Sequence, residues 1–415
     1  MNTKLKSILL LCALSVSALN VFADNKVVTS STTESNQSYN DSDPTKGALN
    51  VIGTGVAYNG TDITLSGSNN CDYPWYNAIG TGAYINNGAS LSLTDSTITT
   101  SGSGGHGISF AEFAGGGLTL NNVTIATTGN DAFGMFADYL TLPLTMNGGS
   151  ITTSGNNASG AWVGSSGGST ISNVTIATTG DGSHGVEYLG SLTLIDTDIR
   201  VTGDGAYGIN NISGDSTVNL DGNTLSSTGA DGGSIYSQSG NVTLTGSNGS
   251  LITGDVVVTY GVTDLTLTGE GTALHGNFVK SEDGGTINFT LGTGALLHGS
   301  GELDSLTLAN GALIGFTGDV LLVTDSITIG DNITIDFSSL TETGDYLVFD
   351  WSNASGGESI TDTQFTLAPD TGIEGTFSVD NGQLTFNATA VPEPSTWFLI
   401  GAGLGALALI RRRSS

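Results

Sequence analysis

Positive charge is scarce in this chain. Nine Lys and Arg stand against 38 Asp and Glu, a formal net charge of −29 at neutral pH. Five of the nine lie at the ends: Lys4 and Lys6 at the start, Arg411, Arg412 and Arg413 at the finish. Between them remain Lys26, Lys46, Arg200 and Lys280, so the body carries 4 − 38 = −34. Such a surface repels phosphate backbones and has almost no cations to displace their counterions, which excludes nucleic acid as a partner. Cations, neutral glycans and basic proteins stay open. Cysteine is nearly absent as well, with Cys12 and Cys71 the two residues of that type. Cys12 falls in a leader, so neither a disulfide framework nor a zinc knuckle can be built. With 6 Pro, 11% charged residues and 63 Gly in 415 residues, the composition argues for one elongated repetitive body rather than ordinary globular domains.

The start, MNTKLKSILLLCALSVSALNVFA, has two lysines, an apolar run from Ile8 to Leu19 and a small residue at its end. That is the anatomy of a secretory signal peptide over residues 1–23, cut after Ala23. Lipidation of Cys12 is disfavoured, because Leu11 precedes it and the run encloses it. Residues 24–48 are polar, with almost no periodicity, and are expected to form a flexible leader.

From Leu49 short β-branched runs alternate with Gly, Asn and Asp, the pattern of strands and turns. Six twelve-residue segments align without gaps: TITTSGSGGHGI from Thr97, TIATTGNDAFGM from Thr124, SITTSGNNASGA from Ser150, TIATTGDGSHGV from Thr175, DIRVTGDGAYGI from Asp198 and TLSSTGADGGSI from Thr224. Their spacings are 27, 26, 25, 23 and 26 residues. Alternation places Ile98, Ile125, Ile151, Ile176, Ile199 and Leu225 in one inward column. Ile108, Met135, Ala161, Val186, Ile209 and Ile235 form a second, and upstream pairs such as Leu91/Leu93 and Leu192/Leu194 a third. Glycine holds the sixth position throughout, from Gly102 to Gly229, where a turn most cheaply takes positive φ. No single repeat can bury three apolar faces, but stacked coils can. The expectation is an all-β parallel β-solenoid over residues 49–340, with at most about 14 coils and a roughly three-sided section. A terminal β cap follows over 341–390.

Runs such as LTLNNVTIATTGNDAFGMFA (118–137) and LTLIDTDIRVTGDGAYGI (192–209) resemble the right-handed pectate-lyase-like β-helix of bacterial autotransporter passengers. An autotransporter would end in a translocator barrel. About fifty residues of further β pattern stand here instead, so self-transport is not expected.

The chain finishes VPEPSTWFLIGAGLGALALIRRRSS. Trp397 to Ile410 is 14 apolar residues, about 21 Å as a helix against about 30 Å of hydrocarbon. The arginines after it would hold that end cytoplasmic and leave the body outside. The order Val391-Pro392-Glu393-Pro394, apolar run, then Arg411-Arg412-Arg413 resembles the PEP-CTERM sorting signal of Gram-negative bacteria. That resemblance implies export through the secretion machinery and transient retention in the inner membrane through 397–410. It further implies recognition by an exosortase, removal of the tail, and delivery to the outer surface or exopolysaccharide matrix. An ordinary C-terminal transmembrane anchor is the alternative.

Five groupings could carry chemistry or binding. Asp196, Asp198 and Arg200 in LIDTDIRV are the one local grouping comparable to the acidic clusters of β-helix polysaccharide lyases. Alternation places them outward on one strand, with Asp198 and Arg200 as a surface ion pair. Asp181 and Asp204 share a turn position in consecutive coils and are candidate Ca²⁺ ligands, against solvated Asx turns. No other cofactor is expected. His106 and His184 share a position three coils apart, too far for one metal, and His275 and His298 read as isolated. Outward Thr beside the inward Ile suggests an ice-binding face, which Asp198 and Arg200 interrupt. Loops of variable length form a ridge bearing Phe110, Phe113, Phe136, Tyr139, Trp162, Tyr188 and Tyr236, the expected contact surface for a glycan or partner. The leading expectation is a non-enzymatic exported rod with an adhesin or matrix role. A polysaccharide lyase and an ice-binding surface protein are the alternatives.

Overall fold

The computed structural model describes residues 23–390 apart from 72–77, 111–115, 141, 213, 282–283 and 370, with 139 and 165–167 described by backbone alone. The chain winds as a parallel β-solenoid of about 12 turns, within the ceiling set by its length. Between its two ends, each strand pairs in parallel with its counterparts on neighbouring coils. The register is that of the repeat alignment: Ile98, Ile125, Ile151, Ile176, Ile199 and Leu225 stand in line, none more than 1% exposed. Ile108, Met135, Ala161, Val186, Ile209 and Ile235 make the second column. The Leu-x-Leu pairs make the third. Each fully buried Ile or Leu contributes roughly 1.5–3 kcal/mol, and neighbouring coils share the benefit because each ring of side chains covers the next.

The sixth-position glycines are required for a different reason than the sequence suggests. None of Gly102, Gly129, Gly155, Gly180, Gly203 and Gly229 has positive φ; that conformation falls two residues later, at Gly104, Asp131, Asn157, Gly182, Gly205 and Asp231. The sixth position is instead the point of closest approach between coils. A β-carbon on Gly129 would land on the carbonyl oxygen of Gly102, one on Gly155 on that of Gly129, and so on to Gly229 against Gly203. Two residues before Gly102, Gly129 and Gly180, an inward threonine braces the turn. The hydroxyls of Thr100, Thr127 and Thr178 each donate across it to a carbonyl five residues on, at 2.6–2.7 Å.

The polar stretch expected to be a flexible leader is in fact the first coil. Lys26–Val28, Thr32–Ser35 and Ser38–Asn40 pair in parallel with Leu49–Ile52, Ala57–Thr61 and Thr64–Gly67. Its polarity reflects its place at the end of the stack. Glu34 stands in the inward column of Gly60 and Leu93, and its carboxylate accepts from Lys26 Nζ at 2.7 Å, Tyr39 at 2.7 Å and Tyr58 at 3.1 Å. A coil with only one neighbour among the described residues can place a carboxylate where inner coils need leucine.

At the other end the parallel stack gives way to an antiparallel cap. Gly344–Asp350 continues the ladder through Leu321 and Phe349, then pairs antiparallel with Gln383–Ala390, which closes a hairpin with Glu374–Asp380. The hairpin turns at Asn381 and Gly382, both at positive φ (48° and 76°), the Asn-Gly combination favoured by two-residue hairpins. Phe337 and Phe386 stack beneath it with ring centroids 4.1 Å apart. Among the described residues no helix is long and apolar enough to cross a membrane.

Candidate functional site

Asp196 does not share a strand with Asp198 and Arg200, contrary to the sequence reading. It has φ 45° and stands in the turn between strands Val186–Ile195 and Asp198–Val201. Asp95, Asn122 and Asn173 take the same left-handed conformation at the same repeat position, since short polar side chains tolerate it best after glycine. Asp198 and Arg200 do form the expected ion pair, with Nε and Nη2 at 2.8 and 2.7 Å from Oδ2.

Asp181 and Asp204 belong to a ladder that ties coil to coil. Asp181 Oδ1 accepts the backbone N–H of Asp204 at 3.2 Å, and Asp204 Oδ1 that of Ala230 at 2.9 Å. Asn130 and Asn156 do the same for Asn156 and Asp181. In these four coils the turn position supplies a side-chain oxygen acceptor, which amide and carboxylate provide alike. Among the described residues no three His, Cys, Asp or Glu side chains gather as a metal site.

His106 and His184 likewise repeat one role. Nδ1 of each accepts the backbone N–H of the residue above it, Phe133 at 2.9 Å and Tyr207 at 3.0 Å. This fixes the neutral tautomer with the proton on Nε2. Burial pushes the His184 imidazole down to about 4. His275 and His298, by contrast, are not isolated. They are register partners on adjacent coils, with Nδ1 atoms 3.4 Å apart. Burial, and then the neighbouring His298 ring, hold His275 below the ordinary imidazole value. The signal was present in the sequence: TALHGN and ALLHGS lie 23 residues apart, one coil length.

The aromatic ridge is mostly packed rather than presented. Phe110, Phe136 and Tyr188 are no more than 2% exposed, while Trp162 and Tyr236 are half-buried. Phe113 and the side chain of Tyr139 lie outside the described residues. Phe136 stacks on His106 at 5.3 Å and tilts against Trp162 at 5.5 Å, so the rings serve as a second layer over the sheet. Sequence reasoning also passed over Glu187, which is register partner to Trp162 and Asn210. Its carboxyl receives the Ser159 hydroxyl at 2.6 Å, and burial pushes it up to about 7. A charge in the strand VEYLGS, where other coils place Phe136 and Trp162, was the available sign.

The sorting residues Val391, Pro392, Glu393, Pro394 and Arg411 to Arg413, with the apolar run 397–410, lie outside the described residues. So do residues 1–22 of the expected signal peptide. Ala23, the expected cleavage position, bridges Tyr39: its N–H donates to the Ser38 carbonyl at 2.9 Å and its carbonyl accepts from Asn40 at 3.1 Å. Cutting after Ala23 would remove that one bridge and leave the strand from Lys26 in place. Comparison with curated proteins returns no match to the chain. Comparison with protein families finds that residues 390–414 match the PEP-CTERM protein-sorting motif, so the chain carries at its C-terminus a signal for export and exosortase sorting.

Proposed function

We propose that the protein is a non-enzymatic β-solenoid rod, delivered by exosortase to the cell envelope or extracellular matrix, where it acts as an adhesion or exopolysaccharide-associated component. The observation that carries this reading is the sorting motif joined directly to the end of a repetitive rod, its first residue, Ala390, still paired in the cap. The polar candidates for catalysis (Asp196, Asp198) and for Ca²⁺ (Asp181, Asp204) support it through what they hold instead. Asp181 and Asp204 hold coils together, Asp198 is committed to Arg200, and Asp196 shapes a turn.

The test is to express the full chain in a bacterium with and without its exosortase. With the enzyme, the tail should be lost and the rod recovered in the surface or matrix fraction. Without it, the rod should stay membrane-bound with the tail's mass intact. Identical mass and distribution in both strains would overturn the sorting route. Release of unsaturated sugars from a polysaccharide panel, abolished by Arg200→Ala, would overturn the non-enzymatic reading and favour a lyase.

A further inference from the structure

We propose that His275 and His298 form an open binding site for a first-row transition-metal ion, with zinc and copper(II) the ions best matched to it. The strands Ala273–His275, Leu296–His298, Leu313–Gly315 and Ile333–Asp336 stack in parallel. Their register sets His275, His298, Gly315 and Asp336 in one outward column on successive coils.

The two imidazoles meet edge to face, with ring centroids 5.4 Å apart and planes at 81°. Their Nδ1 atoms are separated by 3.4 Å, long for an N–H···N hydrogen bond. Two imidazole nitrogens bound tetrahedrally to one zinc ion at about 2.05 Å would stand about 3.3 Å apart. The spacing between adjacent coils thus sets the two nitrogens at the distance that shared coordination requires.

Glycine at 315 leaves the His298 ring its place in the column. A β-carbon there would meet His298 Cδ2 at 2.6 Å, so a side chain would take the space the His298 ring now fills. The rings open onto a cavity of about 250 Å³ whose wall includes Asp336 and Ser338. Ser338 N–H holds Asp336 Oδ1 at 2.7 Å, which fixes a negative group in the wall without making it a third ligand. The remaining coordination positions therefore fall to water or an outside donor. Two nitrogen donors favour zinc or copper over calcium and magnesium, which require oxygen shells. The inference is independent of the proposed surface role, and no result below bears on sorting.

The test is calorimetric titration of ZnCl₂ into the full chain, purified in mild detergent without a histidine tag. The expected result is one equivalent with a micromolar Kd, unchanged by millimolar CaCl₂. His275→Ala and His298→Ala should each weaken binding at least tenfold, and the double variant no further than the weaker-binding single. A metal-free melting curve matching wild type shows that each variant folds, and His275→Gln replaces His275→Ala if the latter does not. No binding at millimolar zinc would overturn the proposal. Binding retained in the single variants, or losses that multiply in the double variant, would also overturn it.

Discussion

The carbonyl oxygen of Gly102 occupies the place that a β-carbon on Gly129 would need, and the same relationship recurs coil after coil to Gly229. Gly155→Ala should therefore destabilise the rod by about 3 kcal/mol, because backbone rather than a flexible side chain must give way. Gly205→Ala is the control: it has φ +65° but open space around its β-carbon, and should cost about 1 kcal/mol through conformation alone. Urea denaturation followed by circular dichroism distinguishes the two. Equal losses would mean that φ, not space, selects glycine at the sixth position.

Glu187 should make the rod less stable as the solution becomes more alkaline. Its folded pKa is raised to about 7 from an ordinary 4.5, so between those values the native state holds a proton that the unfolded chain releases. The penalty is absent below about pH 4.5 and complete above about pH 7, where a shift of that size corresponds to roughly 3 kcal/mol. Glu187→Gln keeps an acceptor for the Ser159 hydroxyl and should raise the melting temperature at pH 8 while leaving it unchanged at pH 4.5. A pH-independent difference would show that Glu187 does not titrate in this window.

His184 acts in the opposite sense. With its folded pKa lowered to about 4 from 6.5, the unfolded chain binds the extra proton first, so stability falls as pH drops through that interval. Protonation would also take the Nδ1 lone pair from the Tyr207 N–H. His184→Ala should cost 1–3 kcal/mol at pH 8, the usual penalty for a buried donor left without its acceptor. Nitrogen chemical shifts should report the neutral Nε2–H tautomer at pH 7, and the Nδ1–H tautomer would contradict the hydrogen bond.

Burial alone would raise Glu34, but donors from Lys26, Tyr39 and Tyr58 outweigh it and hold the carboxyl below its ordinary 4.5. Its stabilising effect is then complete above about pH 4.5 and lost as pH falls through the lower folded value. Glu34→Gln should flatten the acid limb of the stability curve, by about 1 kcal/mol or less for a partly solvated pair. An acid limb identical to wild type would remove Glu34 from the account.

Much of the rod was legible because each column repeats one kind of residue. The six-coil line from Ile98 to Leu225 is written in β-branched and aliphatic side chains, and the structure pairs those residues in that order. What stayed hidden depended on position in the stack. Glycine shows that a side chain is missing, not whether space or φ demands it. The coil from Lys26 was unreadable because, among the described residues, it has only one neighbour, and Glu34 could stand where Leu93 stands further in. His275 and His298 escaped notice because later coils shorten and lose the Thr-Gly turns on which the alignment rested. The ion pair Asp198–Arg200 was readable from alternation. The displacement of Asp196 into a turn was not, since DTD can continue a strand or break it.

The cap strand Gln383–Ala390 ends where the sorting motif begins, with no spacer between them. On the proposed route, an exosortase reading Pro392-Glu393-Pro394 would work close to folded β-structure, and fraying of the Ala390–Glu374 pair would govern its access. A rod held by its tail before cleavage would, on the same route, hang from its capped end. About 12 turns at about 4.8 Å each carry the opposite end some 60 Å from the point of attachment. In that arrangement the coil beginning at Lys26, not the cap, would be the first described part of the molecule to reach anything beyond the membrane.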